Sequence, residues 1–162
     1  MARVPALVPR GSTIDRQPRS KRYYFDVGIG SVWLSGTDTG GAYCLLEIGL
    51  ASGMMVPRHT HTREDETYYV LAGELEVVVG DEVSTLRPGE SLTAPRNIPH
   101  QLRNSGKVEN HYLIMSSPAG FEGFLRATAI PAADNAIAPT EPPAVAIRNV
   151  HELAADYGIL FH

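Results

Sequence analysis

Short apolar runs separated by polar turn residues fill most of the chain between residues 31 and 116. The runs are rich in β-branched and aromatic residues, and Gly, Pro, Asn and Asp stand between them, as in strands joined by tight turns. The predicted strands are SVWLS (31–35), AYCLLEIGL (42–50), TYYVLAG (67–73), ELEVVVG (74–80), EVSTL (82–86), SLTAP (91–95), HQLRN (100–104) and NHYLIMS (110–116). Many short strands with short connections predict an all-β sandwich or barrel, because a βαβ fold would place helices between its strands.

An apolar stripe at helical spacing follows the last of these strands. It lies within residues 118–130, which predicts one short helix, and it consists of Phe121, Phe124 and Leu125. Two interpretations are open for the stripe. It packs on the outside of a sheet as an ordinary amphipathic helix, or it forms a wall of a pocket and limits what can enter.

The rest of the C-terminal region has a different composition. The Pro- and Ala-rich segment 131–147 is predicted to be extended. A second short helix is predicted at 149–158, with Asn149 as its N-cap and Gly158 as its C-cap. The expected organisation is an N-terminal arm and first strand at 13–30, a barrel at 31–117, and a C-terminal extension packed on the barrel at 118–162.

Composition narrows the class of partner. Residues 1–12 contain LVPRGS, which is typical of a vector-derived cleavable tag, and without them the Lys and Arg count falls from 14 to 12 against 18 Asp and Glu. The net charge then moves from −4 to −6, which disfavours nucleic acid as a partner. No apolar run approaches the roughly 20 residues of a membrane span. The single cysteine, Cys44, excludes an internal disulfide and fits a reducing compartment, so a cytoplasmic location is expected.

The most distinctive polar stretch is HTHTREDETYY at residues 59–69. His59 and His61 are two residues apart, so on a strand their side chains share one face. Glu66 breaks that parity and joins them only if the polar residues 62–65 form a bend. Taken alone, the stretch is either a metal site or an exposed strand with solvated histidines.

Longer spacings resolve that choice through a family resemblance. A first motif, Gly-x5-His-x-His-x4-Glu-x6-Gly, is matched by Gly53, His59, His61, Glu66 and Gly73. A second, Gly-x5-Pro-x-Gly-x2-His-x3-Asn, is matched by Gly89, Pro95, His100 and Asn104, with Asn97 in place of the middle glycine. Asparagine is the residue that best replaces glycine at positive φ, so the turn is retained. The two motifs resemble the signatures of the cupin superfamily over about residues 40–117.

The resemblance implies a fold and a cofactor. Cupins are small jelly-roll barrels, also called double-stranded β-helices, and we expect one here with a short helical C-terminal extension. The resemblance also implies one divalent transition metal per chain, and the ligands carried over are His59, His61, Glu66 and His100. Three imidazoles and one carboxylate suit Fe, Mn, Ni, Co or Zn, and the donor set does not choose among them. The remaining histidines, His111, His151 and His162, lie outside both motifs and are expected to be surface or packing residues.

A narrower resemblance concerns the reaction. PRHTHTREDETYYVLAGELEV, APRNIPHQLRN, SSPAGFEGFL and HELAADYGILF are similar to stretches of single-domain cupins related to quercetin 2,3-dioxygenase. It implies a dioxygenase that acts on a small phenolic or enolisable compound, with Glu66 also acting as the catalytic base. The alternatives are a non-oxidative metal cupin (a cyclase, isomerase or lyase) and a cupin that binds a small molecule through its metal without transforming it.

The sequence also offers candidates for a substrate pocket and an interface. The apolar residues proposed for the pocket are Met55, Tyr68, Leu102, Met115, Phe121 and Phe124. Edge strands of an open barrel need cover, so we expect a homodimer with an apolar interface that includes the region 23–35. The alternative is that Phe25 and Trp33 fill the core of their own barrel. The expected partners are therefore a small-molecule substrate and a second copy of the chain, and neither nucleic acid nor membrane.

Overall fold

The computed structural model describes residues 21–25, 27–141 and 143–162. The predicted tag at 1–12 and the arm up to residue 20 lie outside the described residues. The strands are β1 (Arg22–Tyr24), β2 (Ile29–Leu34), β3 (Cys44–Leu50), β4 (Met55–His61), β5 (Asp65–Ala72), β6 (Leu75–Val79), β7 (Glu82–Leu86), β8 (Ser91–Ala94), β9 (His100–Arg103), β10 (Asn110–Ser117), β11 (Ile130–Pro131) and β12 (Ile159–Phe161). The helices are α1 (Gly36–Thr39), α2 (Phe121–Thr128) and α3 (Ala144–Leu153), and a 3₁₀ turn follows at Ala154–Tyr157.

The described strands form two antiparallel sheets. One has the order β11-β1-β2-β3-β10-β5-β8 and the other the order β12-β4-β9-β6-β7. The chain crosses repeatedly between the sheets, since β4 and β9 lie in one sheet and β5 and β10 in the other. A core cluster of apolar side chains draws on both sheets. This arrangement confirms the predicted all-β jelly-roll class.

The predicted strands agree closely with the observed ones. Each of the predicted runs contains a strand, and the ends differ by two residues at most. β4 is not among the predicted runs, although His59 and His61 are expected to share a strand face, and β1 lies within the region 13–30 where a first strand is expected. β11 and β12 were not predicted, because each is only two or three residues long and pairs with a strand distant in sequence. Such strands are set by tertiary contacts, and local patterning does not reveal them.

Alternation along β5 and β10 decides which side chains face the interior. On β5, Glu66 and Tyr68 are buried and face the interior. Tyr69, the residue after Tyr68, is exposed on the outer face. On β10, Ile114 is buried and Met115 is exposed. Met115, predicted to line the pocket, therefore lies on the outer face of the sheet, and that prediction is wrong.

A bulge in β4 resets the parity of the strand that carries the two histidines. Val56 pairs with Leu102 of β9 and His59 pairs with His100, so three steps along β4 match two along β9. Val56 and His59 consequently both face the interior. Met55 instead faces outward and is 44% exposed, so its predicted place in the pocket is also wrong.

The C-terminal region confirms one predicted helix and corrects the second. α2 lies where the apolar stripe predicts it. The segment 131–147 is not extended throughout, because α3 begins at Ala144. Pro143 is the N-cap, a place where proline's missing N–H costs no helical hydrogen bond, and Asn149 lies inside the helix. Gly158 ends the following 3₁₀ turn with φ +77°, as the predicted C-cap.

The C-terminal elements contact the core and both sheets, since β11 pairs with β1 of the seven-stranded sheet. Phe124 and Leu125 of α2 and Val150 of α3 belong to the core cluster. β12 pairs with β4, with Ile159 opposite His61. None of the described helices is long and apolar enough to cross a membrane.

Candidate metal centre

Three histidines and one glutamate meet in the barrel interior. They are His59, His61, Glu66 and His100, and each is at most 5% exposed. One potential ligand atom from each lies within 4.8 Å of those of the others. The structure thus brings together the four residues that the motif spacing predicts, and the group could hold a metal ion.

The strand arrangement explains this convergence. His59 and His61 are on the inward face at the end of β4, and His59 stands opposite His100, the first residue of β9. A turn at residues 62–64 then carries the chain to the other sheet, where Glu66 is the second residue of β5. The predicted bend is therefore present, and the carboxylate reaches the imidazoles from the facing sheet.

Asn97 shapes the turn that leads into His100. Its φ of +64° lies in the left-handed region, as expected for a residue that replaces the glycine of the motif. Its backbone N–H donates to the carbonyl of His61 at 2.7 Å. The turn before β9 is thus tied directly to the ligand strand β4.

The three imidazoles are oriented by acceptors at their Nδ1 atoms. Nδ1 of His59 lies 2.8 Å from the carbonyl of Pro57, and Nδ1 of His100 lies 3.0 Å from the carbonyl of Ile98. Nδ1 of His61 lies 2.6 Å from Oε1 of Glu64. A hydrogen bond to each of these acceptors requires a proton on Nδ1. In the neutral ring the lone pair is then on Nε2, where a metal could bind.

Two of these Nε2 atoms lack a hydrogen-bond partner in the part of the chain that the structure describes. Nε2 of His61 and Nε2 of His100 are buried, and neither has a hydrogen bond to any described residue. They lie 3.6 Å and 3.5 Å from Oε2 of Glu66. Buried polar atoms are almost always paired, so two orphaned lone pairs beside a carboxylate fit a bound cation. The donor set suits a divalent transition metal.

The charges of the site favour a cation as well. Burial raises the pKa of Glu66, but the imidazoles of His61 and His100 outweigh it and hold the pKa far below its usual range. Burial, helped by the neighbouring imidazoles, lowers the pKa of His59 to about 3. Burial also opposes protonation of His61, but the carboxylates of Glu66 and Glu64 outweigh it and raise the pKa of His61. At neutral pH Glu66 is ionised and His59 is neutral, which are their metal-binding forms.

Glu66 is supported by two hydroxyl groups. Tyr68, fully buried two residues further along the inward face of β5, donates from its hydroxyl to Oε2 of Glu66 at 2.7 Å. Ser116 of β10 donates to Oε1 at 3.3 Å. Burial, and then the carboxylate of Glu66, raise the pKa of Tyr68 well above its usual value, so its hydroxyl keeps its proton. Tyr68 therefore acts on the ligand Glu66, and it is not part of the cavity lining to which it was assigned.

A cavity of about 70 Å³ adjoins the ligand cluster. His59, His61 and Glu66 contribute to its lining, and the remaining described lining residues are almost all apolar, with no Lys or Arg among them. Three of the residues proposed for the pocket do line it, namely Leu102, Phe121 and Phe124. Phe25 also lines it and is buried, whereas Trp33 is 43% exposed.

One wall of this cavity comes from the C-terminal extension. The ring of Phe121 meets the ring of His61 edge-on, with 4.9 Å between centroids. The ring of Phe161 in β12 lies 5.9 Å from that of His59. Sequence reasoning missed Phe161, Ser116 and Glu64. Ser116 lies on the inward face of β10, which strand alternation could have identified, but the pairing of β12 has no local signal.

The other histidines lie away from the ligand cluster. His111 is on the outer face of β10, with its ring nitrogens 3.3 Å from Glu47 and 3.2 Å from Glu109. His151 is exposed on α3 and His162 lies 2.8 Å from the hydroxyl of Thr60. None belongs to the group that could hold a metal among the described residues.

Two facing antiparallel sheets with three histidines and one glutamate that could hold a metal between them define this chain as a jelly-roll protein with a candidate metal centre. Among known protein families, the Cupin domain family matches residues 46–116 of this chain. This range contains all four candidate ligands. The Cupin domain family thus describes this central part of the chain, 71 of its 162 residues.

The individual proteins that match this chain share about a third of its residues or fewer, and only over part of its length. Protein SchB of Streptomyces halstedii is 35% identical over 66 residues, which are 41% of this chain and 48% of that protein. Quercetin 2,3-dioxygenase of Bacillus subtilis strain 168 is 29% identical over 111 residues, 67% of this chain and 32% of that enzyme. The chain spans about half or less of the curated relatives it matches. The solved structure of a predicted oxalate decarboxylase from Thermotoga maritima superposes with TM-score 0.57 at 19% identity, covering 62% of this chain and 93% of that one. This structural likeness concerns the fold alone.

Proposed function

We propose that this chain is a metal-dependent cupin oxygenase that joins dioxygen to a small phenolic or enolisable compound. The observation that carries the proposal is the set of converging, orphaned imidazole nitrogens beside an apolar cavity. The likeness to quercetin 2,3-dioxygenase over 67% of the chain supports the oxygenase class. A divalent metal held by His59, His61, Glu66 and His100 would supply Lewis acidity and a meeting point for substrate and dioxygen.

The cavity lining favours an apolar substrate. Arg side chains are over-represented where carboxylates are recognised, and Lys binds anions as a point charge, but no described lining residue of the cavity is an Arg or a Lys that could pair with a small dianion such as oxalate. An aromatic or enolic compound, by contrast, loses little solvation energy against the side chains of Leu102, Phe121 and Phe124. The substrate class we propose is therefore neutral overall and carries one acidic hydroxyl.

The cavity also limits the size of the substrate. Its volume of about 70 Å³ is below the roughly 150 Å³ of an engineered apolar cavity that admits benzene. Even one ring requires a shift of the aromatic side chains at the wall, and the three rings of a flavonol require a larger one. We propose a substrate with no more than one ring.

Glu66 is the residue that takes the hydroxyl proton of this substrate. Its carboxylate is ionised at neutral pH and borders the cavity. The hydroxyls of Tyr68 and Ser116 hold it in place from the side of the sheet. With a metal bound, Glu66 would be one of its ligands and would also take the substrate's hydroxyl proton, because its carboxylate is ionised at neutral pH.

Oxygen uptake in a single turnover tests the proposal. Metal-loaded protein is mixed with single-ring phenols and short enols, and Glu66→Gln is expected to lower the rate by about 10²–10⁴-fold, the usual cost of losing a general base. Glu47→Gln on the outer face is the matched control and should keep the wild-type rate. Loaded wild type that consumes no oxygen but converts a compound anaerobically would instead support a cyclase, isomerase or lyase. Binding without any conversion would support a binding cupin.

We also propose a homodimer that forms through the outer face of the seven-stranded sheet. Large apolar side chains are exposed there, namely Trp33, Tyr69, Leu71 and Met115. Phe25, by contrast, is buried inside its own barrel. Light scattering at micromolar concentration should give twice the chain mass, and a monomer mass would refute the proposal.

We also propose that the protein is cytoplasmic. Its buried cysteine, Cys44, forms no disulfide, which fits a reducing compartment.

A further inference from the structure

Glu64 is a buried carboxylate within an otherwise polar and exposed turn. It is 4% exposed, while its neighbours Thr62 and Arg63 are exposed. Burying a charged side chain is strongly unfavourable unless a partner compensates the charge. The partner of Glu64 is the ring of His61, whose Nδ1 lies 2.6 Å from Oε1 of the glutamate.

The turn that carries Glu64 is braced on two sides. The backbone N–H and the hydroxyl of Thr62 both donate to the carbonyl of Gly158, each at 2.8 Å. On the other side Arg96 forms hydrogen bonds with both carboxylate oxygens of Asp65, at 3.0 Å and 3.1 Å. A glutamate fixed at both ends of its turn can hold a ring in a set orientation, because its own backbone has little freedom to follow the ring.

The contact makes His61 different from the other two imidazoles. His59 and His100 face neutral backbone carbonyls at Nδ1, and His61 faces a negative charge. A carboxylate draws the Nδ1 proton more strongly than a carbonyl does, which raises the electron density at Nε2. Glu64 lies behind the ring, on the side away from Nε2, and it is outside the group of potential ligands.

The charge balance of the site points the same way. Three neutral imidazoles and the Glu66 carboxylate leave a divalent cation with one uncompensated positive charge. Glu64 supplies a second buried negative charge next to the ligand His61. In a buried site with few other polar groups, that charge acts through a low effective dielectric and is poorly screened by water.

We propose that Glu64 is a positioning residue that holds the ring of His61 and strengthens its bond to the metal. The inference rests on the metal centre of the proposed function, and it is independent of the reaction catalysed there. Loss of such an outer carboxylate typically lowers metal affinity by about 10–100-fold. Glu64→Gln removes the charge while keeping the length of the side chain, and Glu64→Ala removes the acceptor as well.

Competition with a chelator for zinc or cobalt measures this affinity without any substrate. We expect Glu64→Gln to weaken binding by about 10–100-fold and Glu64→Ala to weaken it at least as much. Glu47→Gln is the matched control, since it removes the same charge at a site beside His111 on the outer face, away from the ligands and from the turn that carries Glu64. Equal affinity of Glu64→Gln and wild type would overturn the proposal, and so would an equal loss in Glu47→Gln, which would indicate a general charge effect.

A second measurement needs no variant. In the zinc-loaded wild type, nitrogen NMR should show His61 protonated at Nδ1, with its proton signal shifted further downfield than those of His59 and His100. Equivalent signals from all three rings, or a proton on Nε2 of His61, would overturn the role of Glu64. Wild type that binds neither metal would count against the proposed function itself. Wild type that binds metal without consuming oxygen would leave the inference on Glu64 standing.

Discussion

Replacing Tyr68 by phenylalanine removes one hydroxyl from the centre of the barrel and leaves the ring in place. That hydroxyl donates to Oε2 of Glu66 at 2.7 Å, and both residues are at most 1% exposed. A hydrogen bond to a charged group is worth about 1.5–3 kcal/mol. In a domain of this length, 1 kcal/mol corresponds to about 2–4 °C in melting temperature, so the metal-free variant should melt about 3–12 °C lower.

The assay is thermal unfolding of metal-free and zinc-loaded protein in parallel. With a cation bound, Glu66 has another partner, so the loss from Tyr68→Phe should be smaller in the loaded protein than in the metal-free one. Tyr69→Phe is the control, because Tyr69 is the next residue and is 43% exposed. Exposed substitutions usually stay within about 0.5 kcal/mol, or roughly 2 °C here. If metal-free Tyr68→Phe also melts within that range, the hydroxyl does not stabilise Glu66 and the reasoning is refuted.

Three further predictions follow from the same contacts. His100→Ala should lose close to all bound metal in elemental analysis while His111→Ala retains it, and equal metal in both would contradict the assigned ligands. Phe124→Ala removes a buried ring that also lines the cavity. Calorimetry should show a free energy of unfolding lower by about 3–5 kcal/mol, and the variant should also bind substrate more weakly. Unchanged substrate binding would mean that Phe124 only packs the core. Hydrogen bonds from Arg96 lower the pKa of Asp65 from 3.8 to about 2. Its folded pKa lies below the unfolded one, so its stabilisation is present above pH 4 and is lost toward pH 2; the melting difference between wild type and Asp65→Asn should shrink over that interval, and a constant difference would argue against the ion pair.

Strand alternation and motif spacing predicted the parts of the site that depend on neighbours in sequence. The bend between His61 and Glu66 is one example, and the positive φ of Asn97 is another. Met55 shows where that reasoning fails, since the bulge in β4 is set by pairing with β9 and has no signature within β4 itself. Glu64 was missed for a different reason. A charged residue in a polar turn is normally solvated, and only the folded structure shows that its carboxylate points at His61.

The pairing of β12 with β4 divides the site between two stretches of the chain. The four candidate ligands lie within 42 residues of one another, between His59 and His100, whereas the wall made by Phe121 and Phe161 comes from the C-terminal extension. The ligand strand and the C-terminal extension meet through backbone pairing, ring contacts and the hydrogen bond between Thr60 and His162. The residues of the wall can therefore change in sequence while the four ligands stay the same. A chimera that carries a relative's C-terminal segment on this barrel should accept a different range of substrates and bind the same metal.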